Sequence, residues 1–223
     1  MKTFLLTATY AVGIGELILA IYFWITNSKS EIRRVMALLA LVTAIWVIGN
    51  AIASYTNASL LVDYTLKILY CSGLLIVVVL VHLSLIYPFK IINIDRYHRI
   101  LLYTPAVMIS YLVFFSKAII VGYEISPLIP GNVIPGPAFS LFNIVIALYF
   151  FAYIIITSIR ISNLDGINRK NTILLLISVV VGGLFAIVGN ILYSFSTIMF
   201  NPLVTVIPSI AWVAAIIYIV NKS

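Results

Sequence analysis

A single carboxylate stands in the middle of a long apolar run, Glu16 in "YAVGIGELILAIYFW" (Tyr10 to Trp24). An ionisable side chain in such a run costs a few kcal/mol in a bilayer centre and marks a ligand contact, a protonation switch or an ion path. The bland alternative is a hydrogen-bonded carboxyl tying one helix to its neighbour. Thr9, Gly13, Glu16 and Ala20 are spaced by four, three and four, so they share one helical face, which predicts that Glu16 points inward. Similar stripes recur: Thr43, Trp46, Asn50 and Ser54 in one run, Gly182, Ala186, Gly189, Asn190 and Tyr193 in another, and Asn201, Thr205, Pro208, Ser209 and Trp212 in a third. A cavity lined by Glu16, Trp46, Asn50, Asn190 and Trp212 would take a small-molecule or lipid ligand; interhelical hydrogen bonding and small-residue packing explain the same pattern. Asp63 and Lys67 are placed for a helical ion pair and, with Tyr70, for contact with a lipid headgroup, or for Asp63 to cap its helix while Lys67 reaches for the interface. His82 has no ligating neighbour one turn away and reads as a packing residue, so no metal is expected. No nucleophile sits with a base and no glycine-rich phosphate loop occurs, which predicts no catalysis and no cofactor.

These residues need helices to position them. The 223 residues are 64% hydrophobic and only 9% charged, with a mean hydropathy of +1.21, well outside the soluble range. A bilayer core needs about 20 apolar residues per helix. Seven windows qualify, about Thr3–Ile25, Val35–Tyr55, Tyr64–Tyr87, Ile100–Val121, Phe139–Ile159, Thr172–Tyr193 and Leu203–Val220, with no soluble domain between them. Continuous runs such as Leu74 to Val81 exclude the alternating pattern of a β-barrel. The expectation is an all-α, seven-transmembrane helix bundle in the cell membrane. Ten of the thirteen Lys and Arg fall after spans one, three, five and seven, which puts the N-terminus outside and the C-terminus in the cytoplasm. Loop placement accounts for the net charge of +7 without a nucleic-acid partner.

Asp95-Arg96-Tyr97 matches a triplet of rhodopsin-like receptors, where it closes the third helix. Here Pro88 intervenes, since it lacks an N–H and disfavours helix in the residue before it. The triplet therefore belongs to the loop before span four, with Asp95, Arg96 and Arg99 as solvated charges. The predicted seventh span holds no lysine, so a covalent retinal protein is excluded. The first span is too long for a signal peptide and carries its positive charge after the apolar run. Cys71, the single cysteine, permits no intramolecular disulfide. The loop "VGYEISPLIPGNVIPGPAF" holds four of the eight prolines, and reads as a lid over the outer mouth or as an irregular connector.

Five stretches in order carry a family resemblance: "NSKSEIRRVMALLALVTAIWVIG" (Asn27 to Gly49), "LVHLSLIYP" (Leu80 to Pro88), "IPGPAFSLFNIVIALYFF" (Ile134 to Phe151), "NRKNTILLLISVVVGG" (Asn168 to Gly183) and "NPLVTVIPSIAWVAAIIYIV" (Asn201 to Val220). The set resembles the N-terminal seven-transmembrane region of prokaryotic sensor histidine kinases. The resemblance implies a sensory or anchoring module whose partner is a cytoplasmic domain for phosphotransfer and ATP binding, and it leaves room for a homodimer. This chain ends at Ser223, so such a domain is expected either in a longer protein or not at all. Pro208, in mid-span seven, is a candidate kink for transmitting a signal. Glu16 lies outside the family pattern. It supports a rival reading, a small transporter or channel subunit that moves protons or ions; a plain anchor is a third.

Overall fold

The computed structural model describes residues 2–26, 29–55, 59–89, 94–125, 130–195 and five positions beyond, 209, 211, 214, 215 and 218. Side chains at 2, 3, 5, 54, 55, 59, 60, 123–125, 130–132 and 185–195 lie outside this description. In chain order come α1 (Lys2–Thr26), α2 (Glu31–Tyr55), α3 (Ser59–Ile86), α4 (Arg96–Phe115), strands β1 (Ile120–Ile125) and β2 (Pro130–Pro135), α5 (Phe139–Ser162) and α6 (Gly166–Phe195). All six helices are long and apolar enough to cross a membrane. The predicted seventh span lies outside the described residues apart from the five helical positions between 209 and 218.

The helices run up and down, and α3 is the mast. It packs against α2, α4 and α5, while α1 lies along α2 and α6 along α5. Between α1 and α2 the seam is made of small groups. Thr9, Gly13, Glu16 and Ala20 of α1 are buried, and so are Ala37, Ala40, Ala44 and Ala51 of α2. Apolar burial drives little association in lipid, so close approach and dispersion hold such a seam. At Gly13 the backbones come so near that a Cβ would stand 2.5 Å from Ile48 Cγ1. The opposite faces carry Ile144, Leu148, Phe151, Ile155 and Ile159 of α5 and Ile14, Ile18, Ile21 and Ile25 of α1, all exposed at three- and four-residue spacing, as lipid-facing stripes require.

Several boundaries differ from the sequence reading; span four, read to Val121, ends at Phe115 because Ile120 and Val121 belong to β1, and span six, read from Thr172, starts at Gly166. α4 begins at Arg96, so the Asp-Arg-Tyr triplet opens this helix and does not lie in a loop. Asp95 is its N-cap: Oδ1 accepts from the amide of His98 at 2.9 Å, and His98 Nδ1 lies 2.6 Å from the same oxygen. These bonds, the amide's first, hold the Asp95 carboxyl below the usual carboxylate range. A depressed pKa gives a contribution fully present above the unfolded value of about 3.9 and lost as pH falls through the lower folded value. Asp95→Ala should accelerate amide exchange of the first turn of α4 at neutral pH several-fold; wild type should show such fraying only in acid. In α3 the helix starts at Ser59, which places Asp63 inside it and removes Asp63 as a cap.

The proline-rich loop between α4 and α5 contains an antiparallel hairpin, an element composition had hidden. Tyr123 pairs with Val133 and Glu124 with Asn132. The alternation of Ile and Val between breakers is a strand signal, and both prolines of β2 stand at its ends, where a missing N–H is tolerated. Ile119 and Ile120 are buried against α3 and α4, and Val133 packs on Ala53, Val62, Leu66 and Leu69 at the ends of α2 and α3. Gly136 closes the hairpin base, donating to Ile119 O at 2.8 Å. A Cβ there would meet Ala118 O at 2.3 Å, a backbone atom that cannot swing away. Gly136→Ala should therefore cost about 1–3 kcal/mol and loosen the hairpin, read as faster amide exchange over β1.

Candidate functional site

Glu16 is 0% exposed in mid-α1. Neither carboxyl oxygen has a hydrogen-bonding partner among the described residues. Gly13, one turn earlier, touches Val47 and Ile48, so this part of α1 faces the α1–α2 seam. Trp46 stands about 200° around α2 from Ile48, half-buried, with its indole Nε1 over Gly73 of α3, 3.8 Å from where a Cβ would be. Asn50 is buried, and its Nδ2 donates back to Trp46 O at 2.9 Å. Trp46 and Asn50 thus form one unit on α2, and Glu16 sits beyond the other flank of that helix. Asn190 and Trp212, the remaining members of the predicted cavity, have side chains outside the described residues, as does Pro208.

Asp63 and Lys67 form the expected ion pair at 2.8 Å, part-exposed, with the ammonium 5.8 Å from the centroid of the Tyr64 ring. An i,i+4 pair of this kind contributes a few tenths of a kcal/mol. Tyr70 turns away from it. Its ring packs 5.2 Å from that of Phe142 and 6.0 Å from that of Phe139, joining α3 to α5.

The strongest polar assembly includes Arg99, which the sequence reading assigned to a loop. At the end of the bundle that carries Arg33, Arg34, Arg96, Arg169 and Lys170, Arg99 Nη2 of α4 lies 2.7 Å from Glu31 Oε1 at the start of α2. His82 Nε2 of α3 is 3.9 Å from the same oxygen. On its other side His82 Nδ1 meets the hydroxyl of Tyr103, on α4, at 3.0 Å. Arg99 also donates to Ile94 O at 3.1 Å, so it too is no solvated loop charge. Carboxylate, imidazole, guanidinium and phenol thereby knot three helices together at their basic ends. His82 is a packing residue with a defined polar duty; among the described residues no metal-binding group of His, Cys, Asp or Glu occurs.

On the opposite side of α3, Arg160 of α5 is only 5% exposed. It donates through Nη1 to Ser84 O and through Nη2 to Phe89 O. Those carbonyls lie where α3 ends before Pro88, a place where backbone acceptors lose their helical partners and a cation is favoured by the helix dipole. Tyr87, next to that break, reaches the side chain of Asn171 on α6, and burial pushes its phenol up. Sequence had assigned Arg160 to a loop through the charge-bias rule. A signal was present in the spacing of Tyr153, Thr157 and Arg160, four and three residues apart, which continues one helical face to the arginine.

A bundle of six helices long and apolar enough to cross a membrane, with polar groups buried at its seams, is a multi-pass membrane protein. The chain belongs to the family described as the N-terminal 7TM region of histidine kinase, which matches residues 8–221. That region is a sensor domain and not a catalytic one. No curated protein and no solved structure matches this chain.

Proposed function

We propose that this chain is the receptor part of a prokaryotic kinase, a seven-helix unit with its N-terminus outside, which passes a ligand or membrane stimulus to a cytoplasmic phosphotransfer domain. The observation that carries the reading is family membership over nearly the whole chain. The geometry supplies a route. Hairpin residue Val133 and Trp46 pack on the same group at one end of α3, and the Glu31–His82–Arg99 knot and the Arg160 clamp grip the other. A ligand seated by Trp46 and Asn50, beneath the hairpin, moves α3 only if it binds two packings of the bundle unequally. Driving the population from one in a hundred to ninety-nine takes about 5.5 kcal/mol of difference. The proposed partners are the bilayer, a small-molecule or lipid ligand, the kinase domain and a second copy of the chain, in the cell membrane.

The test is autophosphorylation of the full-length kinase in proteoliposomes. Trp46→Ala should change basal output several-fold, because truncating a half-buried indole alters the α2–α3 packing at the hairpin end. If that variant matches wild type, and an unrelated membrane anchor in place of this region leaves regulation intact, the region is only an anchor. The unpartnered carboxyl of Glu16 keeps a transport reading testable in the same vesicles. Proton or ion flux abolished by Glu16→Gln would establish it in place of the sensor.

A further inference from the structure

Behind the Arg160 clamp, four buried side-chain atoms on α5 and α6 make no close hydrogen bond among the described residues: Tyr153 Oη, Thr157 Oγ1, Arg160 Nε and Asn171 Oδ1, with the hydroxyls of Tyr153 and Thr157 facing each other. The first three share one face of α5. Only Asn163 to Asp165 connect α5 to α6, so the two helices run antiparallel and Asn171 falls level with Thr157. All four residues are nearly fully buried. Buried polar atoms in native proteins almost always have a partner, so the donors left over around Arg160 and Thr157, one turn apart on α5, call for an acceptor.

Charge decides its chemistry. The buried guanidinium of Arg160 has no carboxylate partner among the described residues. Of the six acidic residues in the chain, Glu31, Asp63 and Asp95 pair elsewhere. Asp165 is exposed, and Glu16 and Glu124 belong to α1 and β1. The end of α3 offsets only about half a charge. Water would satisfy the hydroxyls and leave the cation uncompensated in a low-dielectric interior. Arg160 still offers Nε–H beside the unused hydrogens of its Nη atoms, the fork that binds oxyanions through two parallel bonds. The Thr157 hydroxyl, one turn away on the same face, adds a donor when Tyr153 donates to it.

We propose that the junction of α3, α5 and α6 binds a phosphate group, held by Arg160 Nε and the Thr157 hydroxyl, with Tyr153 supporting Thr157 from behind. The group belongs either to a soluble phosphate or to the headgroup of an anionic lipid in the leaflet at the basic end, where Arg169 and Lys170 are exposed beside the α5–α6 connection. The site is independent of the sensory reading and of the Trp46 end of the bundle.

The experiment is thermal unfolding of the protein in nanodiscs of pure phosphatidylcholine, in the same discs with inorganic phosphate, and in discs containing phosphatidylglycerol. A midpoint raised by inorganic phosphate identifies the soluble source, and one raised only by phosphatidylglycerol identifies the headgroup. Thr157→Val and Asn171→Leu leave both carbonyl bonds of Arg160 in place and so retain the fold. Thr157→Val should weaken apparent binding about tenfold, the loss of one charge-assisted or neutral hydrogen bond. Arg160→Lys should weaken it further by removing the fork. No response of wild type to either probe, or an undiminished response in the double variant Thr157→Val/Asn171→Leu, overturns the assignment.

Discussion

Arg160→Ala should destabilise the bundle by about 3 kcal/mol or more. Two carbonyls at the end of α3 would lose a charged donor, each bond of that kind being worth about 1.5–3 kcal/mol when the acceptor is left buried. Ser84 O has lost its helical donor, because the residue four positions on is Pro88, which has no N–H. Hydrogen exchange should localise the effect to the last turn of α3. Arg160→Lys should recover part of the loss, since one ammonium can serve one carbonyl well and two poorly. A loss below about 1 kcal/mol would show that water replaces the guanidinium, and α3 would then need no anchor on this side.

The clamp shows where sequence stops being legible. Hydropathy located all six described helices, with ends displaced by up to six residues, because a bilayer dictates their length and polarity. The buried face of α1 was readable as well, since small and polar residues at three- and four-residue spacing have few other uses. Charges at span ends were not. Counting Arg99 and Arg160 toward the basic side treated each as a point in solvent, whereas a long stem lets Arg99 reach Glu31 and Arg160 reach α3 from within their helices. Such pairings are long-range: Arg160 is 76 residues from Ser84. The hairpin escaped for a different reason. Four prolines suggested irregularity, and only pairing across the turn gives its Ile and Val a face to bury.

Of the residues expected around one cavity, Trp46 and Asn50 lie together on α2 and Glu16 is buried on α1, while the side chains of Asn190 and Trp212 lie outside the described residues. The side-chain amide of Asn50 donates to Trp46 O within α2, which satisfies that asparagine without a ligand. Glu16, on the α1 side, has no such account. Its burial without a partner is the feature of α1 that packing alone leaves unexplained.

Replacing Glu16 separates a structural from a functional carboxyl, because the two make opposite predictions. A carboxyl that ties α1 to its neighbour should be missed, and Glu16→Leu would then cost about 1–3 kcal/mol. A carboxyl buried for a task carries its desolvation cost without return in the resting bundle. Leucine, of similar size and without polar atoms, should then stabilise by about 1–3 kcal/mol, as when unpaired buried polar groups give way to apolar ones. The atoms favour the second outcome, since no donor reaches either oxygen among the described residues. Stability gained at a strained site is commonly paired with function lost. The expected result is therefore a Glu16→Leu protein that unfolds at a higher temperature while the kinase attached to it stops responding, and a Glu16→Gln protein that falls between the two. Higher stability with a normal response would leave Glu16 without a role in signalling. Lower stability would place its partner in the part of the bundle beyond α6, where Ser209 is buried.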